Sequence, residues 1–214
     1  MDGIFSNCKK LRQLPMNILA HGNPYANQSY ATYNSLAWNC YALDEIIDLP
    51  YPHTKATFTD TSSYSNLFSN MVTGCGRLKD LTFAEMDPVN WANQILDLSQ
   101  YTGWAQYMSL DTDRPGGITA DKQVTDDATY QALKDDPDWW TNNVAYSRYN
   151  HDSAVRTINS LPSAIEYQTS SGKKANTIKF KGAAGEKTDG GAINTLTEEE
   201  IAVAAAKGWT VTLV

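Results

Sequence analysis

With 214 residues, 42% of them hydrophobic and 19% charged, the chain carries enough apolar material for a buried core, which excludes a disordered polypeptide. A net charge of -7 excludes nucleic acid and anionic membrane surfaces as partners, since both need a basic face. The longest apolar runs, such as residues 201–206, are too short for membrane insertion. The acidic excess reads as a solubilising surface. The start, Met1-Asp-Gly-Ile-Phe-Ser-Asn-Cys8, has no basic stretch followed by an apolar one, so no secretion signal is visible. On this reading the chain is not exported by that route, or its start is missing.

The three cysteines cannot form a closed disulfide set, and none stands in a C-x-x-C pair. Laid over one another they reveal a repeat instead. The first unit reads Phe5-Ser-Asn-Cys8-Lys-Lys-Leu11-Arg-Gln-Leu14-Pro15. The second reads Trp38-Asn-Cys40-Tyr-Ala-Leu43-Asp-Glu-Ile46-Ile-Asp-Leu49-Pro50, and the third Met71-Val-Thr-Gly-Cys75-Gly-Arg-Leu78-Lys-Asp-Leu81-Thr-Phe83. Cys8 and Cys40 lie 32 residues apart, Cys40 and Cys75 35 apart. A thiol is a compact hydrophobe that is often buried, and Leu11, Leu43 and Leu78 follow it into the same interior. Leu14, Ile46 and Leu81 then open short strands, such as residues 44–49. A unit of this size cannot cover its own apolar face, so it must stack on its neighbours. Polar, aromatic-rich connections run between the units, over residues 21–35 and 51–65.

After residue 86 the repeat is lost. Residues 94–101 suit a further strand, and residues 111–117 with Pro115-Gly-Gly form a turn. Residues 125–134 predict a short helix with Tyr130 and Leu133 on one face, closed by Asp136-Pro137. Residues 144–149 alternate as a strand does. Asp152 or Ser153 caps a helix through Leu161 with Val155, Ile158 and Leu161 inward. Ile178 and Phe180 share one face of a strand over 177–181. Thr197-Glu-Glu-Glu200 is a capping box, with Leu196 and Ile201 as its hydrophobic staple. The helix it starts is expected to bury Ile201, Ala204 and Ala205; Lys207 complements its dipole and Gly208 closes it left-handed. Residues 209–213 alternate as a final strand.

The three cysteine phrases resemble the BspA-like leucine-rich repeats, whose unit is F-x-x-C-x-x-L-x-x-[IL]-x-[IL]-P. Two departures stand out: the spacing exceeds the roughly 20–29 residues usual for such repeats, and the third unit ends in Thr82-Phe83 where the others have Leu-Pro. The ending over residues 150–214 is similar to the segment that follows such repeats in surface proteins of gut bacteria and in proteins of their phages. The resemblance implies an α/β fold: an irregular leucine-rich-repeat solenoid of short strands, helices and long loops, with a helix-strand-helix-strand C-terminal cap. As one continuous domain, residues 1–86 would hold the repeats, 87–149 an irregular insert and 150–214 the capping repeats.

Chemistry is sparse by contrast. No G-x-S-x-G, H-E-x-x-H or phosphate-binding glycine loop occurs. Asp111 and Asp113 are spaced like the start of a calcium loop, but Pro115 follows and Lys122 takes the place of the closing Glu. Asp189-Gly-Gly reads as a turn, His151 as a capping or surface residue, and His21 and His53 as parts of connections. Neither a catalytic residue, a cofactor nor a metal is therefore expected. Flat rings with a polar tip suit recognition surfaces, which singles out Tyr25, Tyr30 and Tyr33 as exposed contacts. The expected function is a non-enzymatic recognition or adhesion module for a protein or glycan, placed extracellularly, at a cell surface or on a virion. The alternative is a structural part of a phage virion, in a tail or fibre appendage. Because Ile4, Phe5 and Leu11 begin a repeat without a polar cap, that edge is expected to pack against an upstream region or another subunit.

Overall fold

The computed structural model describes residues 3–8, 11–14, 33–40, 43–50, 66–75, 78–99, 149–182 and 195–214. Within them the order is β1 (Glu45–Leu49), β2 (Asp80–Phe83), β3 (Ile95–Leu98), α1 (His151–Ser160), α2 (Ile165–Ser171), β4 (Asn176–Phe180), α3 (Glu198–Ala206) and β5 (Trp209–Leu213). The turn at 111–117, the helix at 125–134, Tyr25, Tyr30, His21, His53 and Asp189 lie outside these residues. So does the strand over 144–149, apart from Tyr149.

Each cysteine phrase folds by the same local bonds. Cys8, Cys40 and Cys75 donate their N–H to Phe5, Ala37 and Val72 (3.2, 3.1 and 3.0 Å), three residues back. Leu11, Leu43 and Leu78 donate in turn to the carbonyls of the cysteines, each at 3.0 Å. The backbone is left-handed at Asn7, Asn39 and Gly74, just before each cysteine, and again at Gly3, Ser35 and Asn70, four residues earlier. Asparagine and glycine tolerate that conformation best, which is why Asn or Gly precedes the thiol. At Gly74 glycine is also sterically required: a Cβ there would lie 3.2 Å from the Asn39 Cα and closer still to its side chain.

The units then bond to one another. Phe5 and Asn7 donate to Leu36 and Trp38 (3.0 and 2.7 Å); Ala37 and Asn39 donate to Met71 and Thr73 (2.9 and 2.8 Å). In the strand portion the donors reverse: Asp44 donates to Arg12 (2.9 Å) and Lys79 to Asp44 (2.8 Å). Strands β1 and β2 pair in parallel, Glu45 with Asp80 and Ile46 with Leu81, before a bulge near left-handed Asp48; Gln13 bridges to Glu45 on the other side. Cys40, Leu43, Ile46, Cys75, Leu78, Leu81 and Leu14 are buried, whereas Cys8 and Leu11 are half-buried.

Strands β3, β4 and β5 form a second parallel sheet in that order. Helix α1 closes the edge of β2 with side chains instead of a strand. Thr157 Oγ1 donates to Leu81 O (2.5 Å), Ser160 Oγ accepts from Phe83 N (3.0 Å), and Arg156 grips both oxygens of Asp80 (2.7 and 3.0 Å). One hydrophobic cluster runs from Leu14 to Trp209.

Several expectations are corrected here. The cap of α1 is Asn150, not Asp152 or Ser153: its extended backbone lets its side chain accept from Ser153 N at 3.0 Å. Val155 is only half-buried, since Ala154, Thr157 and Ile158 occupy the inward face. Strand β4 starts at Asn176, one residue early. A further helix, α2, stands between α1 and β4. Around α3 the capping box forms as read, with Thr197 N donating to Glu200 (2.8 Å) and Glu200 N to Thr197 Oγ1 (3.2 Å). Yet only Ala204 of that helix is buried, while Ile201 and Ala205 are exposed, because α3 touches β5 and α1 along a narrow line. Lys207 reaches the C-terminal carbonyls of α1, at Ile158 and Asn159.

Candidate interaction surface

The buried polar groups serve the scaffold. Gln94 and Asn176 are buried at 0% exposure and Gln168 at 5%, so their amides must find partners inside. Gln94 accepts from Leu67 N (2.7 Å) and donates to Ala92 O (2.9 Å). Asn176 accepts from Gln94 N (3.0 Å), and Gln168 Nε2 donates to Trp91 O (3.0 Å) and Gly208 O (3.1 Å). This amide chain ties the third cysteine unit to β4 and β5. Gly208 (φ +81°) leaves the room that the Gln168 carboxamide fills.

The thiols are equally structural. Cys40 Sγ donates to Phe5 O (2.8 Å) and Cys75 Sγ to Ala37 O (3.0 Å), the same position in the preceding unit each time. Burial pushes the Cys40 thiol up from its ordinary 9.0 to about 11, and that of Cys75 well up too. Such thiols are poor nucleophiles at neutral pH. Maleimide should therefore modify half-buried Cys8 in the native protein and leave Cys40 and Cys75 intact until denaturant is added. Equal labelling of all three under native conditions, read by peptide mass, would contradict this placement.

His151 sits at the start of α1, with Nε2 3.1 Å from Glu200 Oε2 and Nδ1 3.4 Å from Asp152 Oδ1. The Thr197 amide, followed by His151, holds the Glu200 carboxyl below its usual range; Lys79 does the same for Glu45. Both carboxylates thus stabilise the fold at neutral pH, a contribution lost as pH falls through their lowered values. No nucleophile accompanies His151 in these contacts, so the cluster fastens α1 to α3. Among the described residues no group of three His, Cys, Asp or Glu could hold a metal, and no helix is long and apolar enough to cross a membrane.

What faces outward differs from the expectation. Tyr33, read as an exposed contact, is wholly buried: it stacks on Phe68 with centroids 5.8 Å apart, and its hydroxyl donates to Pro50 O. The reason is positional. Tyr33 and Phe68 each stand seven residues before their cysteine, so they meet when the units pair. The exposed aromatic among the described residues is Trp38, at 40%. In register it stands between Ser6 and Thr73, and beside it Asn39 Nδ2 approaches Asn7 Oδ1 at 3.4 Å. An indole flanked by hydroxyls and amides presents one apolar plate and several hydrogen-bonding groups, the mixture that recognises amphipathic ligands. Comparison with family models, with curated proteins and with solved structures gave no match.

Proposed function

We propose that the chain is a non-enzymatic recognition module, an irregular solenoid of the BspA-like leucine-rich-repeat kind, that contacts a protein or glycan outside a cell. The observation that carries this reading is the exposed Trp38 on a face of paired units whose buried thiols and amides are spent on holding the scaffold. Rigid backbones that present an aromatic plate among short polar side chains suit binding better than turnover, because they place contacts at low entropic cost. Tyr25 and Tyr30, outside the described residues, stay candidate contacts, and Tyr33 does not.

The test is a glycan array, with intact bacterial cells as a second probe, read with the protein and with Trp38→Ala. Binding should fall at least about tenfold, the effect of losing one well-placed aromatic contact of about 1.4 kcal/mol. Binding unchanged by Trp38→Ala removes this surface from the proposal. A part in a phage tail or fibre is the second reading, favoured by the 51% exposure of Ile4 at the first unit, an apolar edge suited to assembly.

A further inference from the structure

We propose that the outward face around Trp38 takes a neutral saccharide, one pyranose ring lying flat on the indole, in preference to an acidic glycan or a protein. The inference rests on the recognition reading above and names the ligand class for that surface.

Charge sets the class. Residues 3–8, 33–40 and 66–75, the paired turns that carry this face, contain no Lys, Arg, His, Asp or Glu, in a chain that is 19% charged. A carboxylate or sulfate ligand calls for a cationic partner, and protein hot spots lean on arginine beside aromatics; these turns supply no cation. Charge resumes only past the cysteines, at Lys9, Lys10 and Arg77 in the sequence and in the ion pairs Arg12–Asp44 (3.3 Å) and Lys79–Glu45 (2.8 Å). What the turns do carry outward is Ser, Asn and Thr. These neutral groups both give and receive hydrogen bonds, as sugar hydroxyls do.

The geometry fits a flat ring. Trp38 is 40% exposed in the middle unit, with a described unit on either side, so a chain end does not account for its exposure. Its counterparts are Ser6 before and Thr73 after, both too short to cover an indole. The backbone beneath is locked: Trp38 N donates to Ser35 O (3.2 Å), Trp38 O accepts from Asn7 N (2.7 Å), and Asn39 N donates to Thr73 O (2.8 Å). A plate already fixed loses little entropy when a ligand arrives. The indole face carries negative charge density, which attracts the weakly positive C–H bonds gathered on one face of a pyranose. Polar anchors lie alongside. Ser6 Oγ donates to Ser35 O (2.7 Å), and a hydroxyl that donates keeps two lone pairs with which to accept. The Asn39 carboxamide occupies the room that Gly74 leaves and donates to Asn7 Oδ1 (3.4 Å). That arrangement makes the amide nitrogen of exposed Asn7 the donor at the end of the pair. A ring hydroxyl thus meets a neutral acceptor and a neutral donor beside the plate.

A glycan array carrying neutral, carboxylated and sulfated saccharides tests this with the whole chain, Trp38→Ala and Trp38→Phe, their folds checked by circular dichroism. The unaltered protein should hold neutral saccharides, with affinity steady from low to high salt. Trp38→Ala should weaken that binding at least about tenfold, whereas Trp38→Phe, which keeps a flat ring, should retain most of it. Retention of acidic saccharides alone overturns the inference, as does binding that collapses with added salt, the mark of contacts through Lys9, Lys10 or Arg77. Retention of no saccharide by the folded protein overturns it too. Intact bacterial cells separate the inference from the reading beneath it. Capture that survives protease but not periodate, which cleaves sugar diols, supports the saccharide. Capture that survives periodate but not protease, and still needs Trp38, overturns the saccharide and keeps the recognition surface. Binding to array and cells alike that ignores Trp38→Ala sinks both.

Discussion

Trp91→Ala is expected to lower the free energy of unfolding by about 3–5 kcal/mol, the usual cost of emptying a large aromatic site in a packed core. Trp91 is fully buried and sits edge-on to Phe68, Phe83 and Trp209, with centroids 5.3, 6.3 and 6.3 Å away. Phe68 belongs to the third cysteine unit, Phe83 to β2 and Trp209 to β5, so one indole joins both sheets. Its carbonyl also accepts from Gln168 and Asn176. Neighbours fixed in that way cannot collapse into the space, which places the cost near the top of the range. Urea unfolding followed by circular dichroism reads the change. A loss below about 1 kcal/mol, typical of exposed positions, would mean that Trp91 is not at the junction.

The second large effect is expected from Gln94→Leu, despite nearly conserved volume. Leucine can neither accept from Leu67 N nor donate to Ala92 O, and both main-chain groups would stay buried. At about 1–3 kcal/mol for each unsatisfied group, the loss is about 2–6 kcal/mol. Asn66→Ala serves as its control: Asn66 brackets Ile95 through both N and O, yet these bonds are exposed and water can replace them. If Gln94→Leu proves no more damaging than Asn66→Ala, the buried amide chain is not what joins the third unit to the second sheet.

The readable parts of the fold were those with a periodic or local signature. The cysteine phrase marked the thiol and the inward leucine, because both recur at one place in a repeated unit; the left-handed backbone at Asn7, Asn39 and Gly74 emerged only from the fold. The capping box of α3 and the glycine after it were legible for a similar reason: each satisfies end groups of its own helix. Gln94, Gln168 and Asn176 had no such mark, since a single buried amide is defined by partners far away in sequence. Helix α2, seven residues without a side-chain cap, fell below the length at which apolar spacing speaks. Ile201 was misplaced because the staple rule describes a helix start and not the surface against which the helix lies. Tyr33 could have been found: extending the cysteine alignment seven residues back sets it beside Phe68, an interior position. For the surface, the sequence pointed to Tyr25, Tyr30 and Tyr33, and Trp38 emerged only from its exposure in the fold.

The most direct test of the paired cysteine units is NMR measurement of scalar couplings across hydrogen bonds. The arrangement predicts correlations from the Phe5 amide nitrogen to the Leu36 carbonyl carbon, and from Ala37 to Met71. Correlations from these amides to carbonyls within their own units, or to neither partner while the protein stays folded, would contradict it.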